Sequence, residues 1–95
     1  MFIIFLRFST NKAKAGEFMA AHNAWLQQGF ERGLFLVAGS LQPQAGGMIL
    51  AHGVDHAEIE ALVEQDPFVV EAVVDAEIHE VQPGRTDERL AFLKG

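Results

Sequence analysis

From Ala13 to Arg32 the residues Ala15, Phe18, Met19, His22, Trp25, Leu26, Gly29 and Phe30 recur at steps of three and four, with Glu17, Asn23, Gln27, Gln28 and Glu31 on the other sides. That period predicts one long amphipathic helix, ended by Gly33, since glycine readily takes the left-handed conformation that closes a helix. The segments around it read differently. Phe2 to Phe8 is bulky and branched, which predicts a strand with Phe2, Ile4, Leu6 and Phe8 on one face and Ile3 and Phe5 on the other, Arg7 and Ser9 making that second face polar toward the end. Leu34 to Leu41 predicts a second strand. The turn Gln42-Pro43-Gln44-Ala45-Gly46-Gly47 then leads into a third, Met48 to His52, so the two form a hairpin.

Asp55 is placed to cap a second helix, in which Ala57, Ile59, Leu62 and Val63 make the apolar stripe among Glu58, Glu60 and Glu64. Asp66-Pro67 predicts a short helical turn, because Asp suits the cap and Pro the first helical position. A last strand is expected over Val74 to Val81. The order strand, helix, strand, strand, helix, strand is the split βαβ of an α+β, ferredoxin-like domain, with one antiparallel sheet and both helices on one face. Residues 1–83 are assigned to that domain. Residues 84–95 form a C-terminal tail, either loosely ordered or a short helix capped from Thr86, Asp87 and Glu88 and carrying Leu90, Phe92 and Leu93.

This layout leaves a problem. The first three strands are apolar on both faces, yet two helices cover only one, so Ile3, Phe5 and their neighbours require another cover. A second copy of the chain supplies a matching surface by symmetry, so a homodimer is expected.

Composition narrows the partners. Asp and Glu outnumber Lys and Arg by 13 to 7, for a formal charge of -6, so phosphate backbones and anionic lipid are repelled and neither nucleic acid nor membrane is expected. Cysteine is absent, which removes disulfides, thiolate metal sites and thiol nucleophiles, and accords with a cytoplasmic location. The apolar start is cut off at Arg7, lacks a basic leader and is far too short to span a bilayer.

His22 is the residue most out of keeping with its surroundings. It lies inside the apolar stripe, four residues after Phe18 and three before Trp25, where an imidazole needs a partner. By itself it fits a core histidine holding a backbone carbonyl as well as a functional one. Asp66 likewise fits an ordinary helix cap, Ser40 a turn hydroxyl, and Trp25 either a core anchor or a stacking surface for an aromatic ligand. Metal ligation is disfavoured: His52 and His56 are separated by the turn-like Gly53-Val54-Asp55, and Asp75, Glu77 and His79 at spacing two mark a solvated sheet face. Gly46-Gly47 has neither the spacing nor the lysine of a phosphate loop, so no cofactor is expected.

Three stretches, His22-Asn23-Ala24-Trp25-Leu26, then Phe35 to Pro43 with Gly46-Gly47-Met48-Ile49-Leu50, then Asp66-Pro67-Phe68, in this order and spacing, resemble the signature regions of the YciI-like (YCII-related) family. The resemblance spans nearly the whole chain. It implies a dimeric α/β barrel in which His22 and Asp66 form a dyad, with Ser40 as a third polar member and Trp25 and Pro43 beside a small-molecule ligand. In such a dyad the carboxylate accepts one ring N–H, fixes the tautomer and steadies the imidazolium that forms when the other nitrogen takes a proton. The expected activity is therefore cofactor-free general acid/base chemistry, such as proton abstraction, elimination or isomerisation, on a small organic substrate, aromatic ones included, in a pocket closed by two subunits. The alternatives are a ligand-binding or accessory dimer that turns nothing over and, by analogy of fold alone, a cofactor-independent oxygenase.

Overall fold

In a computed structural model that describes residues 1–94, Phe2–Phe8 forms strand β1, and its alternation sends Phe2, Ile4 and Leu6 into the core while Ile3 and Phe5 stay half-buried on the other side. The chain continues through α1 (Ala15–Glu31), β2 (Phe35–Leu41), β3 (Gly46–Ala51), α2 (His56–Glu64), α3 (Pro67–Val70) and β4 (Val74–Glu80). The strands make one antiparallel sheet in the order β2-β3-β1-β4, the ferredoxin-like arrangement that the sequence pattern implies. The core gathers on the helical side. Ile4 and Ile49 from the central strands meet Trp25 of α1, Ile59 and Val63 of α2 and Phe68 of α3 there. No helix among the described residues is long and apolar enough to cross a membrane.

Three local features depart from the sequence reading. A one-turn 3-10 segment, Lys12–Lys14, precedes α1, so the α-helix proper starts at Ala15. β3 begins at Gly46, inside what reads as a turn. Gly46 has φ +126°, and a Cβ there would collide with the Leu6 carbonyl, so only glycine allows β3 this close to β1; glycine's poor strand propensity hides the strand from view. In the tail, Asp87 rather than Thr86 does the capping: its Oδ1 accepts the Arg89 N–H at 2.9 Å, and the short 3-10 turns over Glu88–Lys94 are interrupted at Leu90.

A β-bulge in β2 matters most for the site. Phe35 pairs with Ala51, but Val37 pairs with Leu50, so the register slips between them. Strict alternation from Phe35 would put Val37 and Gly39 on the helical side and Ser40 on the open face. The extra residue reverses this, because a shift of one exchanges the faces of every later residue in the strand. Ala38 now lies across from Ile49, and Ser40 across from Gly47, whose other neighbour is Leu6; all are on the helical side. On the open face Val37 is 49% exposed, near half-buried Ile3, Phe5, Met48 and Leu50.

Candidate functional site

α2 ends at Glu64, and the backbone turns sharply at Asp66, whose N–H donates to the Val63 carbonyl at 3.1 Å before Pro67 opens α3. The Asp66 side chain caps α3, with Oδ1 accepting the Phe68 N–H at 3.0 Å. Capping aims this carboxylate inward, and Asp66 is the one charged residue that the described core buries completely. Its Oδ1 also meets Nδ1 of His22, 44 residues earlier in the chain, at 2.7 Å. A carboxylate can only accept, so Nδ1 carries the proton and Nε2 is the ring's free nitrogen. Asp66 Oδ2 is buried with no hydrogen-bond partner. The buried charge is therefore answered by the imidazole and one backbone N–H, which makes each side of the pair dependent on the other.

The ring plane of His22 is fixed as well. Its side chain is 12% exposed and stacks on Phe68 with centroids 4.0 Å apart and planes 3° from parallel, while Trp25 lies at 6.0 Å on the same helix. One tripeptide, Asp66-Pro67-Phe68, thus supplies both the acceptor that sets the tautomer and the surface that sets the orientation.

His22 lines a pocket of about 310 Å³ between α1 and the helical side of the sheet. Met19, Asn23 and Leu26 join it from α1, Ser40 and Gly47 face it from the sheet, and Phe68 and Phe8 close its sides. Its lining is mostly apolar with a few polar groups, as small-molecule sites are. The described walls all come from one chain, so a second subunit is not needed to outline this pocket.

The other candidates lie elsewhere. Trp25 is not in the lining; it is buried in the core, and its indole N–H donates to the Leu62 carbonyl at 3.0 Å, tying α1 to α2. Pro43, in the β2–β3 turn, is also outside the lining. Ser40 reaches the pocket only through the bulge. Sequence reasoning misses Asn23 and Met19 as lining residues, Asn23 because it sits among polar helix positions; a usable signal is that the two are four apart and flank His22 on one side of the helix.

The remaining histidines are held without a cavity. The His52 ring makes a 3.0 Å contact with the Gly33 carbonyl. His56, half-exposed at the start of α2, meets Glu80 through Nδ1 at 3.1 Å and Glu60 through Nε2 at 2.9 Å. Those two bonds, the one to Glu80 foremost, raise its pKa above 6.5. His79 reaches Glu77 at 2.8 Å on the open face, and this bond, ahead of the Arg7 charge, holds the Glu77 carboxyl below its usual range. No group of three or more His, Cys, Asp or Glu poised to hold a metal occurs among the described residues.

Comparisons with known proteins accord with this architecture. The sequence profile of the YCII-related domain matches residues 1–82. No curated protein sequence matches the chain. Among solved structures, the chain is similar in fold to 5-chloro-2-hydroxyhydroquinone dehydrochlorinase from Burkholderia phenoliruptrix, solved with 2,5-dihydroxybenzoquinone: TM-score 0.70 at 18% identity, covering 88% of this chain and 96% of that one.

Proposed function

The chain belongs to the YCII-related family, and from that premise we propose that it is a small, cofactor-independent enzyme in which His22 serves as general base toward a small ring-bearing molecule. The observation that carries this reading is the 2.7 Å bond from His22 Nδ1 to fully buried Asp66, which leaves Nε2 as the ring's unengaged nitrogen in a residue that lines a pocket. Asp66 acts through His22, fixing its tautomer and balancing the imidazolium formed on proton transfer. Ser40 and Asn23 supply hydrogen bonds that orient the substrate, and the apolar walls exclude water. The dehydrochlorinase of the same fold, named for a chlorinated hydroquinone, supports a hydroxylated aromatic ring as the first substrate class to try.

The test is a screen of hydroxylated and halogenated aromatics and small lactones for turnover, repeated with His22→Asn. The Asn amide can still donate to Asp66, so the fold is kept while the base is removed. Turnover is expected to fall by about 10²–10⁴. Binding with no turnover in the unmodified chain would favour a ligand-binding module instead.

The working assembly is a homodimer with the open faces packed together. Ile3, Phe5, Met48 and Leu50 form the apolar strip that needs covering, and Gly39 leaves room for close approach, since a Cβ there would meet nothing within 4 Å. Val37→Lys, at an exposed position, is expected to give a folded monomer by light scattering; a dimer of unchanged mass would contradict this.

A further inference from the structure

Apart from the His22 imidazole, no side chain lining the pocket can carry a charge; the polar contributions are Asn23, Ser40 and the backbone around Gly46 and Gly47. Behind the imidazole, one hydrogen bond away, lies the Asp66 carboxylate, wholly buried and with Oδ2 unanswered. A preformed carboxylate or phosphate entering this space would lose water, find no cation, and face a buried negative charge across a single ring. The chain's formal charge of -6 works in the same direction at longer range.

Size adds a second limit. A cavity of about 150 Å³ already takes a benzene, so about 310 Å³ accommodates one substituted ring and excludes nucleotide- or coenzyme-sized ligands.

We infer that the pocket is selective for an uncharged, hydroxyl-bearing, single-ring molecule and rejects ring carboxylates and phosphates of the same shape. For the chemical step after binding, the inference rests on the general-base reading. There, a substrate O–H bond breaks, an N–H bond forms at Nε2 of His22, and the electron pair stays on the substrate oxygen. Negative charge then arises only inside the pocket and only beside the imidazolium that its own proton has created. An anion arriving from solvent brings no such counter-charge, which is why the neutral form is the one admitted.

The experiment uses two probes that differ only in charge, 4-hydroxybenzamide and 4-hydroxybenzoate, titrated into the full chain at neutral pH and followed by NMR shifts of pocket residues. The amide is expected to bind at least about tenfold more tightly. Asn23→Lys, an exposed helical position on the pocket rim, places a cation at the mouth and is expected to tighten benzoate binding and close most of that gap. Equal or tighter benzoate binding by the unmodified chain overturns the inference. So does an amide that fails to bind at millimolar concentration, and so does an Asn23→Lys chain, folded by its NMR spectrum, that leaves the ratio unchanged. Because binding is read and not turnover, loss of the catalytic reading through His22→Asn and loss of this selectivity are separate results.

Discussion

The pocket end of α1 and the outer corner where α2 meets β4 both bring a histidine to a carboxylate, at 2.7 Å for His22 and Asp66 and at 3.1 and 2.9 Å for His56 with Glu80 and Glu60. Distance hardly separates them; surroundings do. At the corner both ring nitrogens are taken, the ring is half-exposed, and water competes for every partner. In the pocket one nitrogen is bound to a carboxylate sealed from solvent, the ring lies flat on Phe68, and the other nitrogen is free. A histidine engaged twice is a surface clip. A histidine engaged once, from behind, is equipped to exchange a proton.

The widest gap between the two regions is expected in stability. His22→Ala strands the buried Asp66 charge and should cost about 3–5 kcal/mol in urea unfolding, whereas His56→Ala should move the midpoint far less, because exposed ion pairs contribute little. Equal losses would erase the distinction.

Phe68→Leu keeps an apolar side chain but removes the stacked ring, and a loss of about 1–2 kcal/mol is expected from the same unfolding assay, together with broadened or shifted His22 ring signals. If the His22 signals do not change, the ring is held by Asp66 alone.

The smallest effect belongs to the corner, and its sign is fixed. His56 has a raised folded pKa, so its contribution to stability is complete below 6.5, the ordinary histidine value, and is lost as pH rises through the raised one. NMR titration should place His56 above 6.5, with Glu80→Gln lowering it more than Glu60→Gln, in the order of the two hydrogen bonds' influence. A His56 that titrates at the ordinary value, or is insensitive to both changes, would mean the clip does not persist in solution.

Much of this was legible in the chain, and the exceptions share a cause. The element order followed from periodicity, and His22 stood out because an imidazole inside an apolar stripe demands a partner. Asp66 was visible as a helix cap, but that its carboxylate faces His22 depends on how α3 docks against α1, which no local pattern encodes. Ser40 was misplaced at a strand end because the bulge that turns it toward the pocket is one unpaired residue in an otherwise ordinary strand. Trp25 reads equally as ligand platform or core anchor until the Leu62 carbonyl is found to hold its indole.

The central claim is that His22 is protonated on Nδ1 toward Asp66 and bare on Nε2. Long-range ¹⁵N–¹H correlation spectra of the imidazoles, recorded at a pH where the ring is neutral, read this directly. The expected result is a single Nδ1–H tautomer for His22 that becomes mixed in Asp66→Asn; a predominant Nε2–H tautomer in the unmodified chain would contradict the account.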